Sequence, residues 1–162
     1  YLLGDVMEVC GFHNATPRVR FVRKFGAASN LIGEKLLEEH VTDAVAMASA
    51  ELRLESTFFT LAPRLDGALP GYTLHFEPRT APLSAEQLAA FEKSLQAALR
   101  TTAIDYELNA QRMSPVLVRQ LTPGSYDAWR QRKIAAGVAE AQLKCAHLVT
   151  DHAAVPDDLA KT

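Results

Sequence analysis

The segment Ser84-Ala85-Glu86-Gln87 constrains this chain more than any other. Serine followed three residues later by glutamine is a capping box, in which each side chain serves the other's backbone N–H at a helix start. Behind it Leu88, Phe91, Leu95, Ala98 and Leu99 recur at steps of three and four, the period of an amphipathic helix. On both sides the period changes. Thr57-Phe58-Phe59-Thr60-Leu61 and Tyr72-Thr73-Leu74-His75-Phe76 are aromatic and β-branched, and Pro63, Asp66-Gly67 and Pro70-Gly71 separate them. Val116-Leu117-Val118-Arg119-Gln120-Leu121 reads as another strand. Helix-period and strand-period segments in mixed runs predict an α+β fold: a mixed β-sheet with helices packed on its faces.

The rest of the chain fits this frame. Arg18-Val19-Arg20-Phe21-Val22-Arg23 alternates polar and apolar residues, and with residues 1–9 it predicts a hairpin with a long turn over His13–Pro17. Phe25 to Lys35 reads mostly as loop, with room for a short strand around Asn30-Leu31-Ile32. Thr42 is positioned as an N-cap with Asp43 at the positive end of a helix, and Val45, Ala48 and Leu52 form its apolar face. Ile104 to Gln111 predicts a short helix. A helix capped by Ser125 ends at Gly137, with Trp129 and Phe91 expected in the core. The predicted organisation is residues 1–24 as hinge strands and the end of a larger domain, 25–151 as an α+β domain, and 152–162 as a frayed tail.

The 162 residues carry 48% hydrophobic side chains and a net charge of −2, enough apolar material for a core and no field of one sign. Nucleic acid and membrane are therefore not expected partners, and alternating Arg18, Arg20 and Arg23 read as a solvated strand face. There is no basic, apolar leader at the start, and a cytoplasmic location is expected. Cys10 and Cys145 read as free thiols, and the five scattered histidines form no metal-ligand pattern. Tyr1 in place of Met, directly before a strand-like segment, leads to the expectation that the chain was cut from a longer one.

Three stretches, in order, carry a resemblance. Tyr1-Leu2-Leu3-Gly4-Asp5-Val6 resembles the Tyr-Arg-x-Gly-Asp motif closing the large domain of acyl-adenylate-forming enzymes. Gly11-Phe12-His13-Asn14-Ala15-Thr16-Pro17, with Arg18 to Arg23 behind it, resembles the run leading to the hinge and continues to Gly33-Glu34-Lys35. Asp105-Tyr106, Arg119 to Asp127 and Gln142-Leu143-Lys144 complete the set. Together they resemble the C-terminal domain of the auxin-responsive, plant-type acyl-acid amido synthetases.

The resemblance implies a parent that adenylates a carboxylic acid with ATP and Mg²⁺ and conjugates it to an amine, an amino acid being expected. Its partner would be the large N-terminal domain of the same chain, and the isolated chain would be inactive. Asp5 would accept hydrogen bonds from the ATP ribose hydroxyls, since an ionised carboxylate only accepts. Arg23 and Lys24 would lie at the hinge, Lys35 near the nucleotide in one domain orientation. Lys144 would reach the acyl carboxylate and α-phosphate, where a compact ammonium neutralises developing charge. Each has a plainer reading: turn residue for Asp5, surface lysine for Lys35, a cation near helix carbonyls for Lys144. Leu2 replaces the family's arginine and Cys145-Ala146-His147 a Thr-Pro-Arg run. These departures point to a bacterial relative, and leave a stand-alone binding or regulatory module as the alternative function. No Gly-x4-Gly-Lys-Ser/Thr loop or other Gly-rich phosphate cradle is present.

Overall fold

The computed structural model describes residues 5–24, 28–140, 143 and 146–150, with residues 5, 6 and 21–24 described as strand backbone. β1 (Asp5–His13) and β2 (Thr16–Lys24) form an antiparallel hairpin. The expected long turn is instead two residues, Asn14-Ala15, with His13 directly opposite Thr16. Asn14 adopts φ 53°, the left-handed conformation that tight hairpin turns need and that asparagine tolerates. Pro17 lies inside β2, opposite Phe12.

β3 (Ala28–Ser29) and β4 (Leu36–Leu37) form a second, very short antiparallel pair around a turn. The turn occupies the place of the strand expected at residues 30–32. Leu31 and Ile32 give their N–H groups to the Glu34 carboxylate, at 2.7 and 2.9 Å, rather than to a ladder. α1 (Glu38–Leu52) then begins four residues before Thr42. Glu38 and Glu39 occupy its first turn, where the helix dipole favours anions. His40 Nδ1 accepts from Leu37 N at 3.3 Å. Thr42 is inside the helix, and its hydroxyl donates to Glu38 O at 3.0 Å, the back-bonding available to threonine within a helix.

The main sheet has the order β5 (Ser56–Arg64), β6 (Gly71–Pro78), β7 (Leu117–Gln120). β5 and β6 are antiparallel; β7 runs parallel to β6. Parallel neighbours need a crossover, supplied here by α2 (Ala85–Thr102), α3 (Ile104–Asn109) and a 3-10 turn at Ala110–Arg112. The capping box at Ser84 forms as its sequence requires: Gln87 N donates to Ser84 Oγ at 3.2 Å and Ser84 N to Gln87 Oε1 at 2.9 Å. On the far edge of β5, Leu61 bridges Leu148 in parallel fashion, with Leu61 N donating to His147 O and Val149 N to Leu61 O, both at 2.9 Å. No helix among the described residues is long and apolar enough to cross a membrane.

α1 and α2 pack against each other and contribute, with the sheet, to one core that includes Val41, Ala44, Leu61, Leu74, Phe76 and Leu95. Phe76 meets Phe91 with ring centroids 4.6 Å apart. Because strand side chains alternate, Thr73, His75 and Glu77 point to the opposite face. There a smaller cluster of Phe58, Leu121 and Trp129 packs with Tyr126 and Leu143, and Phe58 stacks on Tyr126 at 4.3 Å.

α4 (Ser125–Ala135) explains why this smaller cluster holds together. Ser125 is not its cap. Gly124, at φ 87°, precedes the helix and has no side chain to offer. Glu77 takes over from across the sheet. Its carboxylate, 2% exposed, accepts from Gly124 N at 2.9 Å, Tyr126 N at 2.7 Å and Thr57 Oγ1 at 2.6 Å. The other end matches the sequence expectation: Gly137, at φ 89°, lets Val138 N return to Lys133 O at 3.0 Å, the Schellman closure.

Removing Glu77 leaves three donors without their acceptor. Glu77→Ala should lower the unfolding free energy by about 2–3 kcal/mol, whereas Ser125→Ala should stay within about 0.5 kcal/mol. Urea denaturation of both variants checks this, and equal losses would contradict the capping role of Glu77.

Candidate functional site

The turn between β3 and β4 is organised around one carboxylate. Glu34 is fully buried. Besides Leu31 N and Ile32 N it accepts the hydroxyl proton of Tyr72 from β6, and that hydroxyl also bonds Ser29 Oγ at 2.7 Å. Burial by itself would raise the Glu34 pKa. The hydrogen bonds from Tyr72, Ile32 and Leu31 outweigh it and hold the carboxyl below its ordinary value of 4.5. Tyr72 moves the other way: burial, and then the Glu34 carboxylate, push its phenol up, so it remains a proton donor. Gly33 N completes the turn by donating to Asn30 Oδ1 at 2.8 Å.

Lys35 is the next residue, at φ 40°. Its side chain is 71% exposed, and Nζ lies 4.0 Å from Asp105 Oδ2 in α3. An exposed pair is worth about 0–1 kcal/mol, so this ammonium can leave Asp105 for another anion at little cost. Asp105-Tyr106, one of the stretches that carry the resemblance, thus meets the Glu34-Lys35 turn in space. Tyr106 is buried, and Asn109 Nδ2 closes the short helix on Asp105 O at 2.8 Å.

The hairpin register brings two further candidates together. Asp5 pairs with Lys24 and Val6 with Arg23, so the ribose candidate and the hinge candidate share the open end of β1 and β2. Lys144, Cys145 and the predicted tail at 152–162 lie outside the described residues, as do the side chains of Asp5 and Arg23. The backbone just beyond Cys145 is tied down on both sides. Ala146 O accepts from Thr60 Oγ1 at 2.7 Å, and His147 N donates to Glu38 Oε1 at 2.6 Å. Cys10 is an exposed free thiol. On the Thr73–His75 face of β6 a cavity of about 840 Å³ is lined by Arg64, His75, Leu117, Arg119 and Thr150 among others.

Sequence reasoning reached Lys35 and its acidic neighbour through the motif but not the burial of Glu34. It missed Glu77, Glu38 and Thr60. Their partners are backbone atoms 47 and 49, 109, and 86 positions away, and no local pattern announces such contacts.

Comparison with known proteins identifies the class. Residues 39–153 match the GH3 family C-terminal domain, and the chain belongs to that family. Lys144 falls inside the matched span; Asp5, Arg23 and Lys35 precede it. The chain is 29% identical over 161 residues to the indole-3-acetic acid-amido synthetase GH3.8 of Oryza sativa subsp. indica, covering 93% of this chain and 26% of that protein. It is 27% identical over 158 residues to the 4-substituted benzoates-glutamate ligase GH3.12 of Arabidopsis thaliana, covering 88% of this chain and 27% of the other. A solved structure of the GH3.15 acyl acid amido synthetase superposes with a TM-score of 0.68 at 23% identity, over 98% of this chain and 30% of that one. That likeness bears out the α+β fold. The chain spans about a quarter of the length of the relatives it matches. These relatives are plant proteins, and the bacterial origin expected from the sequence departures finds no support in them.

The low pKa of Glu34 sets a pH dependence. A carboxyl depressed in the folded state stabilises the fold above its unfolded pKa and loses that contribution as pH falls through the folded pKa. Glu34→Gln keeps one acceptor oxygen and sets an amide N–H₂ against the remaining donors, either Ile32 N or Leu31 N with the Tyr72 hydroxyl. It should cost about 1–3 kcal/mol near neutral pH, and the gap to wild type should narrow below about pH 4. Urea midpoints at about pH 7 and about pH 3.5 test the sign; a gap that widens in acid would refute it.

Proposed function

We propose that the parent protein is an ATP-dependent acyl-acid amido synthetase, with this chain as the C-terminal domain that acts against a large N-terminal adenylation domain. The observation carrying this is the alignment of 93% of the chain with 26% of a relative named as an amido synthetase. The parent would join a carboxylic acid to AMP, releasing pyrophosphate, and then transfer the acyl group to the amine of an amino acid. A cytoplasmic location suits an ATP-consuming reaction and the free thiol at Cys10.

Each site residue has a role in this reading. Asp5 binds the ribose hydroxyls, and Arg23 lies at the hinge with Lys24. Lys35 supplies a cation near the nucleotide in one domain orientation, which its exposure and weak hold on Asp105 permit. Lys144 neutralises charge between the acyl carboxylate and the α-phosphate during adenylation. Two half-reactions at one centre call for different cations at different times, and rotation of a small domain can deliver them. ATP is a substrate here. Mg²⁺ binds through one or two carboxylates, substrate phosphates and its own waters. It is assigned to the nucleotide in the parent.

ATP–pyrophosphate exchange over a panel of carboxylic acids tests the proposal on the full-length parent, its Lys144→Ala variant and this chain alone. The expected pattern is exchange by the parent, a loss of about 10²-fold or more in the variant, and none from the isolated chain. A folded parent that exchanges with no acid on the panel would favour the binding-module alternative.

A further inference from the structure

Thr60 and Glu38 are 2% exposed and half-buried respectively, and both direct side-chain oxygens at one short stretch of backbone. Thr60 Oγ1 donates to Ala146 O at 2.7 Å, and Glu38 Oε1 accepts from His147 N at 2.6 Å. They come from different elements, β5 and the first turn of α1, so the stretch is gripped from two directions. Three further contacts hold it: the backbone bonds to Leu61 on both sides of Leu148, the fully buried Leu148 side chain, and the His147 ring stacked on Phe59 at 4.2 Å with Nδ1 2.9 Å from Phe59 O. With the Glu38 bond they fasten residues 147–149. The Thr60 bond adds Ala146, two positions from Lys144.

Two residues of chain span at most about 7 Å, so whatever fixes Ala146 limits where the Lys144 backbone can travel. We propose that Thr60 and Glu38 are positioning residues for the adenylation half-reaction, holding the base of the segment that delivers Lys144; this rests on the proposed role of Lys144 in adenylation. The physical reason for a side-chain clamp here is reach. Lysine has a long flexible stem, and a charge delivered from it is useful only if its base is fixed, because a misplacement of about 1 Å can cost about 10²-fold in rate.

The test separates positioning from general weakening by splitting the half-reactions. In the full-length parent, Thr60→Val and Glu38→Ala should each lower kcat for ATP–pyrophosphate exchange by about tenfold or more, with KM for ATP changed less. Aminolysis of a chemically prepared acyl-adenylate, which needs no Lys144, should proceed near the wild-type rate in the same variants. Thr60→Ser and Glu38→Gln, which retain a hydroxyl and an acceptor oxygen, should recover most of the exchange. The proposal is overturned if Thr60→Val and Glu38→Ala exchange normally while Lys144→Ala does not. Equal losses in both half-reactions, or no recovery in the conservative variants, would reduce the two residues to a structural role. Normal exchange by Lys144→Ala would remove the lysine reading itself, and the positioning role with it.

Discussion

Two buried carboxylates, Glu34 and Glu77, meet the central strand β6, and the loops around the candidate site are built on them. Glu77 belongs to β6 and anchors the start of α4; Glu34 is met by the hydroxyl of Tyr72, also on β6. A carboxylate taken out of water must be compensated by donors, since its burial alone is expensive. Here the donors are, for each carboxylate, two backbone N–H groups and one side-chain hydroxyl. Each carboxylate therefore does what a ladder does for a strand: it satisfies buried backbone and fixes its path. β6 can serve as the reference because it has ladders on both edges and core on one face.

The consequence for function is placement without rigidity at the tip. Glu34 fixes the turn, yet Lys35 just beyond it is exposed and only loosely paired with Asp105. Residues 146–149 are bound along β5, while Lys144 stands two positions upstream in the sequence. Lys35 directly follows a firmly held backbone, and Lys144 precedes one in the sequence. In the proposed reading, such a frame holds its shape while an exposed ammonium adapts to its anion.

The hairpin of β1 and β2 is built differently. Met7, Val9, Phe12 and Val19 are 46%, 54%, 68% and 51% exposed, and the two strands form a sheet of their own. A two-stranded hairpin is marginal in water without a packing partner. Among the described residues, none of the hairpin belongs to either core cluster.

The sequence by itself determined the elements with local causes. The Ser84–Gln87 capping box, the period of Leu88 to Leu99, the Gly137 stop and the strands around Phe58, Leu74 and Val118 all depend on residues within a few positions of one another. The family was legible for the same reason, since its motifs are short and contiguous. Tertiary structure decided the rest. It started α1 at Glu38 instead of Thr42, turned residues 30–35 around Glu34 and capped α4 with Glu77 in place of Ser125. It also set Thr60 and Glu38 on the segment beyond Lys144. For α4 and the stretch at 146–147 the partner lies 47 to 109 positions away, and the Glu34 turn, though bonded locally to Leu31 and Ile32, is also met by Tyr72 from 38 positions away; only folding brings such partners within hydrogen-bond reach.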